Sequence, residues 1–254
     1  MIIDSHAHLG HDYVFDEESN EEGLIYYYER FQVKGAIVQP FINRPYIKDT
    51  KDIHDRISKF CKNNPGRFWG MASINPHFTP EDYEREAKRC IEELGFVGIK
   101  ITPIAHAVHP SSKDGFHVFE VAKSLKVPVM VHTGSGAPFS DPISLINVIE
   151  SFKDVKVILA HGGSDAYFQQ ALYIAKLYEN VYVEPSWLSI LNTRKLIQTI
   201  GVSKIMFSSD HAINVPVELT KYRTLIEDES QLERVLSGTA IEVFNLKNMK
   251  GSDC

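Results

Sequence analysis

Residues 155–161 read Val155-Lys156-Val157-Ile158-Leu159-Ala160-His161, with Gly162 and Gly163 directly after. Apart from Lys156 the run is apolar until a histidine closes it, and turn residues bound it. A short β-branched run of this kind reads as a strand buried on both faces. Seven more such runs recur, at 2–8, 35–40, 68–75, 95–102, 127–133, 181–186 and 204–210. Successive starts lie 23 to 33 residues apart, enough for a helical crossover between parallel strands. The intervening segments carry helix signals. Residues 49–64 repeat Ile53, Ile57 and Phe60 and stop at Asn63-Asn64-Pro65-Gly66. Residues 80–94 have Thr79 as N-cap, Pro80 at the first helical position and an acidic first turn. Residues 115–125, 141–152, 164–178 and 189–200 read similarly. Ser230 with Glu233 makes a capping box for a closing helix that runs to Phe244.

Eight strands alternating with helices over roughly 250 residues is the arithmetic of a (β/α)8 barrel. The expectation is an α/β chain forming one TIM-barrel domain across residues 1–254, with a C-terminal closing helix. An open doubly wound sheet is the alternative, but no GxGxxG follows the first strand.

Composition narrows the function classes. The chain has 254 residues, 27 basic against 33 acidic, and a formal charge of −6. That balance argues against a nucleic-acid partner. A hydrophobic fraction of 43% and a charged fraction of 24% suit a folded globular chain. The three cysteines, Cys61, Cys90 and Cys254, form no CxxC pair, so a reducing compartment is expected. The opening Met1-Ile2-Ile3-Asp4 shows no signal peptide, and no apolar run is long enough for a membrane span. The expected location is cytoplasmic, with no membrane partner.

The strand ends carry the polar residues, where barrel enzymes keep their chemistry. Strand 1 ends in His6-Ala7-His8, strand 4 carries Lys100, and strand 5 ends near His132. Strand 6 ends at His161, strand 7 near Glu184, and strand 8 at Asp210. His6 and His8, two apart on a strand, point to one face, the barrel interior. Imidazoles converging there need a reason, because buried polar groups without partners are costly. A divalent metal supplies one: zinc first, with manganese, nickel or cobalt as alternatives, one or two ions per chain. His132 and Asp210 complete the shell and leave a position for an activated water. Taken singly, each of these residues also reads as a hydrogen-bonded core residue or a turn cap. Their joint placement on one face favours the metal. Lys100 reads as a clamp for a substrate carboxylate, as a carbamylated bridge between two metals, or as a lysine paired with an inward Asp4 or Glu184. Glu184, Trp187, His106, His109 and His211 are expected to line the substrate pocket. Gly134, Gly136, Gly162 and Gly163 suit tight turns beside the site.

Ile3-Asp4-Ser5-His6-Ala7-His8, Val131-His132-Thr133-Gly134, Leu159-Ala160-His161-Gly162-Gly163, Asn180-Val181-Tyr182-Val183-Glu184 and Phe207-Ser208-Ser209-Asp210 resemble the amidohydrolase superfamily. The closest likeness is to its amidohydrolase-related branch (amidohydrolase 2), metal-dependent hydrolases of the TIM-barrel fold. The resemblance implies His6, His8, His132 and Asp210 as metal ligands. His161 either binds a second metal or polarises the substrate, and Asp210 shuttles the proton. Many members carry a histidine two places after the strand-4 lysine, where this chain has Thr102. The implied activity is hydrolysis of an amide, lactone or ester of a small molecule by metal-activated water. The alternative is non-oxidative decarboxylation of a small aromatic or unsaturated acid by the same site. A homodimer is the expected assembly.

Overall fold

A computed structural model describes residues 1–134 and 139–246. Gly136, expected in a tight turn beside the site, and Cys254 lie outside them. The described residues form nine strands. They are β1 (Ile3–Asp12), β2 (Glu17–Ser19), β3 (Gly35–Pro40), β4 (Phe68–Gly70), β5 (Ala72–Ser73), β6 (Ile99–Ile101), β7 (Val129–His132), β8 (Val157–Ala160) and β9 (Val181–Glu184). The parallel ladder runs β1-β3-β4 in one sheet and β5-β6-β7-β8-β9 in the other. Helices α1 (Glu21–Arg30), α2 (Ile47–Asn63), α3 (Pro80–Lys88), α4 (Pro103–His106), α5 (Lys113–Leu125), α6 (Ile146–Ser151), α7 (Ser164–Leu177), α8 (Ile190–Ile200) and α9 (Val215–Leu225) fill the connections. The last helices among the described residues are α10 (Glu229–Glu233) and α11 (Thr239–Val243). This is the TIM-barrel type of α/β fold.

Three details differ from the sequence reading. The first strand runs on to Asp12 and turns back as an antiparallel hairpin with β2. Asp12 makes that turn by accepting from the amides of Val14 and Phe15, at 2.7 and 3.0 Å. The run at 68–75 is two strands broken at Met71, whose amide bonds Val38 in β3 while that of Ala72 bonds Gly98 across the break. The eighth run forms no continuous ladder. Met206 donates to Val183, Ser5 to Phe207, and Asp210 to His6, while the Phe207 amide turns away to Val235. Residues 205–210 therefore bridge β9 and β1 by single bonds and bring the ring together.

Alternation along the strands sorts side chains into two populations. Val129, Val131, Val157, Leu159, Val181 and Val183 belong to the large apolar layer beneath the helices. Ile3, Ile37, Met71, Met130, Ile158 and Met206 form a separate cluster inside the ring. Ala240, Val243 and Phe244 join that inner cluster from α11 and its end, so the closing helix plugs the floor of the barrel. Above this apolar floor the next inward positions are polar: His132 on β7, Glu184 on β9, Lys100 on β6, and Asp210. On β1 the register slips between Asp4 and Ala7. The slip changes the inward phase from Ile3 to His6 and His8, as a bulge re-aims side chains.

A buried strap holds the flank of the barrel. His54 on α2 accepts the Ser73 amide at Nε2 (3.1 Å), so its proton sits on Nδ1 and goes to Glu86 on α3 at 2.7 Å. Arg89 adds two hydrogen bonds to Glu86. Cys90 lies 3.2 Å from the same His54 nitrogen, but with that nitrogen protonated and Glu86 neutralised by Arg89, the cluster is a strap and not a cation site. Burial opposes the Glu86 charge, yet the bonds from His54 and Arg89 prevail and hold the carboxyl at about 2. A depressed carboxyl stabilises the fold above its ordinary value of 4.5 and loses that contribution as the pH falls toward the folded value. We therefore expect Glu86→Gln to lower stability at pH 7 by about 2–3 kcal/mol. In denaturant titrations at a series of pH values, the gap between the two proteins should shrink below pH 4.5 and close near pH 2.

Candidate metal centre

The site is built on β1, at the ends of β6, β7, β8 and β9, and at Asp210. Asp4 sets its base by accepting from the amides of His6 (3.1 Å) and Ser209 (3.0 Å), the Ser209 hydroxyl and Tyr28 Oη. One buried carboxylate thus fixes the backbone on both sides of β1 and residues 205–210. Asp210 and His161 then adopt left-handed backbone angles, φ 65° and 63°. Such conformations in residues other than glycine cluster at functional sites, and here they turn both side chains across the mouth of the barrel.

The decisive geometry is a triangle. His6 Nε2 and His8 Nε2 are 3.0 Å apart, and Asp210 Oδ1 lies 3.2 Å from each. The far nitrogens settle the tautomers. His6 Nδ1 donates to Glu184 Oε1 at 2.5 Å, and His8 Nδ1 donates to the Pro40 carbonyl at 3.0 Å. Both Nε2 atoms therefore carry lone pairs. Burial, reinforced by Lys100, drives His6 well below its ordinary pKa, so a second proton does not join it. Burial opposes the Asp210 charge as well, but the surrounding imidazoles hold its carboxyl well below the usual range. Three acceptors converge with no proton of their own between them, beside the Lys100 amine at 3.1 Å from His6 Nε2, and a divalent cation fits that point. A triangle of these sides has its centre about 1.8 Å from each corner, close to the usual 2.0–2.1 Å ligand distance of such an ion, so the three donors are spaced to hold one. Metal-binding imidazoles are oriented from behind by carboxylates and carbonyls of the kind found here on both Nδ1 atoms.

The other expected residues fall into three groups. His132 and His161 stand beside the triangle, with ring centroids 4.9 Å apart and His161 5.1 Å from His6. His161 Nδ1 meets Ser186 Oγ at 2.8 Å, and burial pushes its pKa down to about 3, leaving a neutral ring. Lys100 is 2% exposed, with Nζ 3.1 Å from His6 Nε2. Among the described residues no carboxylate oxygen lies within 4 Å of it, so the expected pairing with Asp4 or Glu184 is not formed. Burial, against the pull of Asp210 and Glu184, lowers its pKa to about 8. His106 is buried beside it, accepts the Thr102 amide at Nδ1, and is lowered to about 4 by burial and by Lys100.

Glu184, expected to touch substrate, is fully buried below the triangle. It accepts from His6 Nδ1, the amides of His161 and Ser186, and the Ser208 hydroxyl, which leaves it no free lone pair for a ligand. Trp187 donates its indole N–H to Asp210 Oδ2 at 2.8 Å. His211 packs near Trp187, Phe41 and His8 at the rim. His109 is exposed and accepts the Ser111 amide, away from the triangle. The sequence reading missed Phe41, which stacks on His8 at 4.5 Å, and the Pro40 carbonyl behind it. No local motif marks either one, since their roles arise from strand pairing between β1 and β3.

The amidohydrolase family model matches residues 3–246, and the chain belongs to that family. It is an enzyme of the amidohydrolase superfamily. In sequence it is similar to 2-amino-3-carboxymuconate-6-semialdehyde decarboxylase of Dictyostelium discoideum, 23% identical over 76% of this chain. That match spans 66% of the relative's length. The fold is similar to 2,6-dihydroxybenzoate decarboxylase from Rhizobium, at a TM-score of 0.78 and 15% identity, covering 96% of this chain and 98% of that one. It is equally similar to a dihydroxybenzoic acid decarboxylase from a Polaromonas species with bound manganese and 2-nitroresorcinol, at 0.78 and 16%, covering 96% and 97%. These relatives overturn the expectation of a hydrolase acting on an amide, lactone or ester, because each of them is a decarboxylase. The physical reason for the misreading is that both chemistries use the same strand-end ligands, so the ligand motifs alone do not separate them. Among the described residues no helix is long and apolar enough to cross a membrane.

The arrangement makes a direct demand on Glu184. Glu184→Gln replaces two acceptor atoms by one acceptor and an amide donor facing donors. We expect divalent-metal affinity to fall about 10–100-fold and folding stability by about 1–3 kcal/mol. Competition against a chromophoric chelator and thermal unfolding measure the two losses. Unchanged metal affinity would show that Glu184 does not orient His6.

Proposed function

We propose that this chain is a metal-dependent, non-oxidative decarboxylase of a small aromatic or unsaturated carboxylic acid. The observation that carries the reading is Lys100: a buried amine with no carboxylate oxygen within 4 Å among the described residues, standing beside a lone-pair triangle built for a cation. A substrate carboxylate supplies the missing anion. The decarboxylases similar in sequence and fold support the same reading.

His6, His8 and Asp210 would hold the ion with His132 alongside, and zinc or manganese suits these donors. When bound, the metal supplies Lewis acidity that orients and polarises the acid. The chain's own groups do the rest. Lys100 holds the carboxylate by charge-assisted hydrogen bonding. The reaction exchanges that carboxylate for a proton on carbon, releasing CO2. His161, neutral and anchored on Ser186, and Asp210 are the groups that move the proton. A cavity of about 420 Å³ lined by Tyr13, Phe41, Arg44, Asn75, His77 and His106 shares Phe41 with the wall of the metal centre, but none of His6, His8, Lys100, His161 and Asp210 lines it, so it is not assigned to the substrate.

The test is CO2 release by protein loaded with manganese or zinc. The panel is dihydroxybenzoates, 5-carboxyvanillate and 2-amino-3-carboxymuconate semialdehyde. We expect one of these acids to be consumed with stoichiometric CO2. Chelation should abolish turnover and metal should restore it. Lys100→Met should lower kcat/KM by roughly 10²–10³-fold, the scale of one lost electrostatic donor in a water-poor site, while metal content stays unchanged. A metal-loaded protein inert on every acid would sink the reading.

A further inference from the structure

We infer that Trp187 is a positioning residue for the metal centre: its indole N–H fixes the Asp210 carboxylate so that Oδ1 completes the triangle with His6 and His8. The inference rests on the metal-centre reading above and assigns to Trp187 a role other than the pocket wall expected from sequence.

Asp210 has two oxygens with different roles. Oδ1 faces both imidazole nitrogens at 3.2 Å, and Oδ2 accepts from Trp187 Nε1 at 2.8 Å. Without that donor the carboxylate is free to rotate about its terminal torsion, which is intrinsically broad, and Oδ1 leaves the triangle. Trp187 is itself held in an unusual way. Its backbone is left-handed at φ 67°, an outlier for a bulky side chain. Its amide donates to Glu218 Oε1 at 3.0 Å. Glu218 is buried and fixed by Asn214 Nδ2 at 3.2 Å and by Lys221 Nζ at 2.6 Å, and Lys221 also bonds the Leu188 carbonyl at 2.8 Å. Helix α9 thus clamps the backbone on both sides of Trp187. Yet the residue is 52% exposed, so the clamp does not serve core packing. A strained, anchored and half-exposed indole whose one polar atom points at Asp210 is placed for Asp210.

The chain contains only two tryptophans, Trp69 and Trp187, and Trp69 packs against the floor cluster. Metal binding at the triangle should therefore be visible at Trp187. Zinc titrated into metal-free protein carrying 5-fluorotryptophan should shift one of its two fluorine resonances, the one absent from Trp187→Phe. Trp187→Phe keeps an aromatic ring and removes the N–H. It should weaken zinc and manganese binding about tenfold, the lower end of the range for lost outer-shell partners. At saturating metal its KM should remain within about twofold of the parent, and the metal-free melting temperature should be unchanged. Unaltered metal affinity in Trp187→Phe overturns the inference, whether KM rises, as for a substrate wall, or stays the same. A loss of metal affinity matched by a lower metal-free melting temperature overturns it too, since the residue is then structural. If Trp187→Phe does not fold, Trp69→Phe assigns the two resonances and the fluorine shift in the parent decides: a silent Trp187 resonance overturns the inference. Parent protein that takes up neither metal overturns the metal-centre reading itself, which the variant arm alone does not.

Discussion

Everything in the site follows from one electrostatic constraint: three lone-pair donors meet with no proton of their own between them. An unpaired buried acceptor is costly, and each member of the triangle faces two others. The imidazoles cannot relieve this themselves, because their far nitrogens already commit their protons to Glu184 and Pro40, and the Lys100 amine relieves it in part from the side, at 3.1 Å from His6 Nε2. The protein holds the repulsion in place from outside, through carboxylates and carbonyls anchored on neighbouring strands. Such an arrangement is stable only if the fold over-determines it, and Glu184, with four donors on its two oxygens, shows how thoroughly it does.

The barrel produces the constraint by layering. Inward residues at the lower level are apolar and are sealed from below by α11, so the polar level above rests on a dry floor. A register slip on β1 changes the phase of alternation once and delivers two histidines to the same polar level. Left-handed turns at His161, Trp187 and Asp210 then carry the chain sharply away from the strand ends. These are local departures from regular geometry, and all of them lie where the chemistry is.

Much of this was legible in the sequence, and the rest was not for identifiable reasons. The β-branched runs and their spacing carry the fold because period and length are local properties. His6, His8, His161 and Asp210 could be found because strand ends of a barrel converge whatever the loops do. The break at Met71 and the interrupted ladder at 205–210 depend on which neighbour each amide reaches, which no run of residues encodes. Glu184 is legible as an inward residue, but its role is not. Whether an inward carboxylate meets substrate or orients an imidazole is decided by four hydrogen bonds from distant segments. Trp187 presents the same ambiguity between wall and positioning group, and it turns on where the indole N–H points.

The hardest distinction, between water attack and loss of CO2, turns on charge. Asp210 and Glu184 bring two negative charges to the centre, Lys100 brings one positive, and a divalent ion leaves the assembly at +1. At an effective dielectric constant near 20, two unit charges about 4 Å apart interact by about 4 kcal/mol, so the excess is significant in a site this buried. Lys100 feels it most, because no carboxylate oxygen among the described residues lies within 4 Å to offset the repulsion from the ion. A neutral ester or lactone leaves that excess in place. A carboxylate set between Lys100 and the triangle removes it, bringing the centre to zero. Under the proposed function, the same ligands would favour a charged acid over a neutral carbonyl compound, with the substrate carboxylate as the counterion of Lys100.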